Sequence, residues 1–226
     1  MDKHKKSIAP PQFVILAADV VLLTLRDGEL LVRLIPVERP PYFVGARGLP
    51  GGLLRPDETA EDTALRQVAD KAGVRKGAVY TEQLATFSRV NRDPRGRVVA
   101  VAYLALIPWS SLNAVEQQGE WVPVREATKL AYDHDEIIAT ALVRLRSRIS
   151  HSTLLAKLLP NEFTLTELEE AYELILGRAV DKRNFRKKIA KLGVLKELAQ
   201  YKKGGKHRPA RLYRFRTSHI EAIEVL

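Results

Sequence analysis

The 226-residue chain is 46% hydrophobic and 28% charged, with 13 glycines and 12 prolines, so it is too apolar to be intrinsically disordered and too varied to be low-complexity. It contains no cysteine, which excludes disulfide scaffolds, thiolate metal sites and cysteine nucleophiles. Its 37 Lys and Arg against 27 Asp and Glu give a formal charge of +10, which invites a polyanionic partner and makes the location of that charge decisive.

Met1 to Pro11 is basic but opens no uninterrupted apolar core. The apolar run Phe13 to Leu23 is broken by Asp19 and is shorter than the ~18 residues a membrane span needs, so it reads as a strand. The expectation is a soluble, cytoplasmic protein with no membrane partner. Residues 13–108 carry β-branched and aliphatic runs (Val20 to Thr24, Leu30 to Pro36, Val98 to Ile107) around one helical stretch, Thr59 to Ala72, which predicts an α/β domain. From Asp135 the period turns helical: Glu136 to Ile149, Ser152 to Leu159, Leu165 to Leu176 and Asp181 to Leu192, followed by a hairpin. The change places a boundary near Ser147 to Ser152, giving domains 1–150 and 151–226 that pack together or share a helix.

Charge divides the same way. The first 150 residues carry a net +3 and the rest +7, and Arg178 to Arg216 alone holds 15 basic residues against Asp181 and Glu197, a net +13 over 39 positions. The basic surface is therefore focused.

In the first domain, Gly48-Leu49-Pro50-Gly51-Gly52 reads as a glycine-rich loop feeding a helix. Asp57, Glu58, Glu61 and Asp62 suit the positive end of that helix, and Gly73 is expected to cap its other end. Gln67 and Lys71 fall one turn apart with Asp70 beside them, a clustered polar face, while Leu65, Val68 and Ala72 point to the core. This stretch resembles the box of the Nudix hydrolase family: a glycine, five residues, a glutamate, seven residues, then Arg-Glu-aliphatic-any-Glu-Glu-any-Gly-aliphatic. Gly52, Glu58, Arg66, Val68, Gly73 and Val74 fall in register. The resemblance implies helix glutamates that hold magnesium or manganese against a diphosphate, but here those positions are Gln67, Asp70 and Lys71. The degenerate box Glu58, Arg66, Gln67, Asp70, Lys71 is thus expected to have no catalytic residues, no metal site and no required cofactor, while keeping a ligand cleft.

The segment Phe87 to Arg97 supports that cleft. Asp93-Pro94-Arg95-Gly96 has the Pro and Gly placement of a type I turn, and its arginines, with Arg47 and Arg55, are suited to bidentate contacts with a diphosphate. Across this loop and Tyr132-Asp133-His134-Asp135 the sequence resembles Nudix members that handle ADP-ribose. The expected ligand-binding set is Arg47, Gly51, Gly52, Arg55, Phe87, Arg89, Asn91, Arg92, Asp93 and His134.

Residues 152–216 read as a winged helix. Thr164-Leu165-Thr166-Glu167 is a capping box opening a helix with Leu165, Leu168, Tyr172 and Ile175 on its core face. Asp181 caps a second helix rooted by Phe185, Ile189 and Leu192. Val194 to Gln200 and Ala210 to Arg216 read as strands joined by a basic Gly-Gly turn, the expected wing. Lys182, Arg183, Asn184, Arg186 and Lys187 are the candidates for DNA bases, and Lys202, Lys203, Lys206, His207 and Arg208 for phosphates. RNA is the lesser alternative, since Tyr201 and Tyr213 make a poor stacking platform.

A degenerate Nudix domain before a basic winged helix resembles the NrtR family of Nudix-related transcriptional regulators. The resemblance implies an α/β Nudix fold, a mixed sheet between helices, followed by a small α+β winged helix-turn-helix domain. It further implies a homodimeric repressor of NAD-metabolism genes that releases double-stranded operator DNA on binding ADP-ribose or a related NAD metabolite. The alternative is an active ADP-ribose or nucleoside-diphosphate pyrophosphatase with a nucleic-acid-tethering domain.

Overall fold

The computed structural model describes residues 13–75, 77–202 and 209–225. The chain starts with the strand β1 (Ile15–Arg26), turns at Asp27-Gly28 into β2 (Glu29–Arg33), and extends a two-stranded arm of β3 (Ile35–Arg39) and β4 (Tyr42–Gly48). Then come β5 (Gly51–Leu53), α1 (Ala60–Asp70), β6 (Tyr80–Phe87), β7 (Val98–Leu106), the short α2 (Ala114–Gln117), β8 (Trp121–Pro123) and the long α3 (His134–Ser150). A 3-10 turn (Thr153–Lys157) leads to β9 (Phe163–Thr164), α4 (Leu165–Leu176), α5 (Lys182–Leu192), β10 (Leu195–Lys202) and β11 (Ala210–Phe215).

β1 is buried from Ala17 to Thr24, and a strand covered on both faces needs the continuous apolar run found there. Its alternation sorts the two faces: Ala18, Val20 and Leu22 pack with Ala64 and Val68 of α1, whereas Ala17, Val21 and Leu23 share a core with Ile137, Ile138 and Ala141 of α3. β1 pairs parallel with β7 and antiparallel with β2, giving a mixed sheet in the order β6-β7-β1-β2-β8 with β5 added on β1. The sheet between helices is the expected α/β architecture.

The α1 helix begins at Thr59, which accepts from the Asp62 amide while Asp62 accepts from the Thr59 amide, a second capping box beside the acidic first turn. Gly73 takes the left-handed turn (φ 73°) two residues past the Lys71 cap, and the Val74 amide closes on the Val68 carbonyl at 3.2 Å. Two expectations are corrected. Leu65 is half-buried rather than core, its place taken by Ala64. Ser152 to Leu159 is not a helix but a single 3-10 turn, because Thr153 bonds the Glu221 carbonyl and Ser152 bridges Ala222 in the C-terminal segment.

In the second part α4 packs against β9 and β11 of the three-stranded sheet β10-β11-β9 and against α5. The core on the α3 side of the sheet runs without interruption through Ile149 into Leu168, Tyr172, Phe185 and Ile189. The Tyr172 hydroxyl donates to the Ile149 carbonyl at 3.2 Å and Arg146 Nε to the Ile175 carbonyl at 2.9 Å. The helix that closes the sheet is thus also packed into the winged helix. Among the described residues no helix is long and apolar enough to cross a membrane.

Candidate functional site

A cleft of about 480 Å³ lies between the β3–β4 arm, β5, α1, the loop after β6 and the start of α3. Gly51 and Gly52 are not loop residues as expected but strand residues, paired with Asp19 and Ala18 of β1. Glycine is required there because side chains fill the space a Cβ would take: at Gly51 it would stand 2.1 Å from Asp19 Oδ1, and at Gly52 2.7 Å from Gln67 Nε2.

The box helix meets the cleft from below. Gln67 lines the cleft but is buried against Gly52, with its Oε1 left without a hydrogen bond. Lys71 reaches back so that its ammonium donates to the Gly51 carbonyl. Arg66 clamps Glu58 with two bonds of 2.6 Å, and Thr63 Oγ1 adds a third at 2.9 Å. Chiefly through Arg66, the Glu58 carboxyl is held down at about 2. Asp70 is exposed and does not line the cleft. A divalent cation asks for several free carboxylate oxygens, and this helix offers an amide, an ammonium, a committed carboxylate and an outlying one. The residues present do not fit a resident metal, and among the described residues no group of three or more His, Asp and Glu is placed to hold one.

The floor is a buried ion triad. Arg92 donates to Asp133 at 2.8 and 2.6 Å and to Asp19 at 3.0 Å, with all three side chains at most 8% exposed. The Leu49 amide donates to His134 Nδ1 at 2.9 Å, which leaves the ring hydrogen on Nε2, 3.7 Å from Asp19 Oδ2. Burial alone would raise the Asp19 carboxyl, but His134 and then Arg92 outweigh it and hold it below the ordinary aspartate value. Above the floor Arg95 grips Asp93 at 2.9 and 2.7 Å and lies 5.6 Å over Tyr132, whose ring lies tilted against Phe43 with centroids 4.4 Å apart. The Gly96 amide closes on the Asp93 carbonyl at 3.4 Å, as the type I turn requires.

The second charged surface is α5. Asp181 caps it, accepting from the Asn184 amide and from Asn184 Nδ2, both at 3.0 Å. Phe185 and Ile189 are buried, while Lys182, Arg183 and Lys187 are exposed and form no ion pair among the described residues. Arg186 differs: it is paired with Glu169 of α4, which is wholly buried, so its guanidinium is committed to the fold rather than free for DNA. Lys202 likewise reaches Glu167, the partner in the Thr164 capping box. Lys203, Lys206, His207 and Arg208 lie outside the described residues.

Comparison with known proteins follows this division. The NUDIX domain model matches residues 15–141, and the model described as the NrtR DNA-binding winged helix domain matches residues 155–215. Over 94% of its length the chain is 36% identical to the ADPR responsive transcriptional repressor NtrR of Acinetobacter baylyi, covering 86% of that protein. The chain belongs to the NrtR family. Among solved NrtR structures, that of Shewanella oneidensis NrtR complexed with a 27mer DNA matches with a TM-score of 0.78 and 33% identity, over 89% of this chain and 93% of that one. The Nudix part is also 30% identical over 115 residues to the ADP-ribose pyrophosphatase of Methanocaldococcus jannaschii, covering 50% of this chain and 65% of the enzyme.

Within this NrtR-family frame the expected ligand set separates. Gly51, Gly52, Arg55, Arg92, Asp93 and His134 line the cleft. Arg47, Phe87, Arg89 and Asn91 do not: Arg47 pairs with Glu120, Phe87 is buried in the core, Arg89 pairs with Glu136, and Asn91 is exposed. Sequence reasoning missed Asp19, Arg39, Tyr132 and Glu169. Asp19 had a signal, a carboxylate inside an otherwise apolar strand. Glu169 had one too, since it sits four residues after Leu165 and three before Tyr172, within the apolar stripe of α4.

Proposed function

We propose that this chain is a DNA-binding transcriptional repressor whose Nudix domain, within residues 1–150, binds ADP-ribose or a related NAD metabolite without hydrolysing it. The winged helix, within residues 151–226, holds operator DNA and releases it when the cleft is filled. The observation that carries this reading is the pairing, in one chain, of a Nudix cleft whose metal positions hold a buried amide and an ammonium with a helix presenting Lys182, Arg183 and Lys187 to solvent. The relative named as an ADPR responsive repressor and the NrtR complexed with DNA support it.

A cytoplasmic homodimer acting on NAD-metabolism genes completes the proposal. Two copies of α5 would address major grooves about 34 Å apart, or a multiple of that, so operator half-sites should show that spacing. Ligand coupling of about 1–3 kcal/mol would change operator affinity about 5–150-fold. The test is a gel shift on promoter DNA of NAD-metabolism genes with and without ADP-ribose, run beside an assay for AMP release in magnesium. Ligand-released DNA with no turnover supports the repressor. Rapid AMP release with operator binding indifferent to ligand would replace it with the pyrophosphatase reading.

A further inference from the structure

Six basic side chains line the cleft: Arg39, Arg55, Arg66, Lys71, Arg92 and Arg95. Four already form ion pairs with carboxylates. Arg55 and Arg66 share Glu58, Arg92 is held by Asp19 and Asp133, and Arg95 by Asp93. Arg39 bonds only a carbonyl, that of Glu38 at 2.6 Å, and Lys71 only the carbonyl of Gly51; among the described residues neither forms an ion pair. The cleft is therefore lined by two cations without counterions, Arg39 on the β3–β4 arm and Lys71 at the C-terminal cap of α1.

Lys71 stands at a position where the Nudix pattern has a glutamate, so the charge there is inverted. A glutamate at that point needs a divalent ion between itself and a phosphate; an ammonium meets the phosphate directly. We propose that this cleft binds the diphosphate of its ligand without any divalent metal, the Lys71 ammonium and the Arg39 guanidinium supplying the positive charge. The two cations match the two negative charges of a diphosphate diester, and charge-assisted bonds of this type are the strong class of hydrogen bond. The carboxylates nearest the cleft do not oppose the anion, because Asp19 and Asp93 are each bound by an arginine. Gln67 serves the same end: an amide in the box removes a charge that would otherwise repel a phosphate not bridged by metal.

The inference rests on the ligand class proposed above, and the experiment separates the two. Titration calorimetry of the full chain is run with ADP-ribose and, separately, with inorganic pyrophosphate, each in chelator and in magnesium. Wild type, Lys71→Ala, Lys71→Arg and Arg39→Ala are compared, with thermal melts confirming that each variant is folded. The expected result is equal affinity within about twofold with and without metal, a loss of about tenfold to a hundredfold for Lys71→Ala and Arg39→Ala, and recovery in Lys71→Arg. A Lys71→Glu, Gln67→Glu variant should bind poorly in chelator and regain affinity with magnesium. Binding that requires magnesium in the wild type, or a Lys71→Ala protein that binds like wild type, overturns the proposal and leaves the repressor reading standing. Metal-free pyrophosphate binding lost in Lys71→Ala, with no binding of ADP-ribose, upholds the two-cation site and overturns the ligand assigned to it.

Discussion

Replacing Arg92 with methionine would test the ion triad under the cleft. Arg92 is enclosed by Asp19 and Asp133, the three side chains being 3–8% exposed, so an apolar side chain of similar length leaves two buried carboxylates without their cation. Breaking a buried pair in this way costs about 3–5 kcal/mol, most of it the penalty of the charges left behind. For a chain of this size each kcal/mol moves the melting temperature by about 2–4 °C, so Arg92→Met should melt about 6–20 °C below wild type at pH 7.5. The deficit should shrink on acidification. In the wild type the Asp19 carboxyl titrates below its ordinary value of 3.8, so its contribution is present at neutral pH and is lost only as the pH falls below that value. In the variant Asp19 loses one of the two partners that hold its carboxyl down against burial, so that carboxyl rises and its protonation on acidification relieves part of the penalty. The triple variant Asp19→Asn, Arg92→Met, Asp133→Asn should recover most of the loss. An Arg92→Met protein melting within about 2 °C of wild type, or a deficit unchanged between pH 7.5 and 5, refutes the reasoning.

Four further outcomes follow from the same geometry. Arg186→Ala should lower stability by about 2–3 kcal/mol in urea unfolding, because Glu169 is left wholly buried and unpaired, somewhat offset by the half-exposed guanidinium. Arg183→Ala should leave stability within about 0.5 kcal/mol of wild type while weakening operator DNA, so the two arginines separate by assay. Gly52→Ala drives a Cβ to 2.7 Å from Gln67 Nε2 and should cost about 1–3 kcal/mol, read as a lower melting temperature that Gln67→Ala partly restores in the double variant. Tyr172→Phe removes one buried bond to the Ile149 carbonyl and should cost about 1 kcal/mol in urea unfolding, with operator affinity changed less than the response of that affinity to ligand.

What was legible in the residues was local. The continuous apolar run of β1, the box helix, the Thr164 to Glu167 capping box and the Asp181 cap each depend on neighbours a few positions away, and each forms. Partners far along the chain were not legible. The loop arginines could be counted, but which remain free depends on carboxylates 41 and 73 residues distant, as Arg92 shows. Gly51 and Gly52 read as a loop because glycine is depleted in strands, yet they pair with β1 because Asp19 and Gln67 occupy the space of their missing side chains. Arg186 looked like its basic neighbours on α5 until Glu169 of α4 claimed it.

The cleft and the DNA-facing helix are joined by α3 without a slack connection. Its N-cap and first turn lie in the site, where Asp133 holds Arg92 and His134 receives the Leu49 amide, just after Tyr132, whose ring lies tilted against Phe43. Its last turn lies in the winged helix, where Ile149 accepts the Tyr172 hydroxyl and the Ser150 and His151 carbonyls accept amides of the C-terminal segment. At 1.5 Å per residue its 17 residues span about 25 Å, so a tilt of about 5° at the cleft moves the far end by about 2 Å. In the proposed homodimer a shift of that size would change how well two recognition helices fit successive grooves, whereas a flexible tether would absorb it. In the proposed repressor, a ligand that engages Arg39, Lys71 and Tyr132 would act beside the first turn of this lever, and the continuous core along α3 would carry a displacement to α4 and α5.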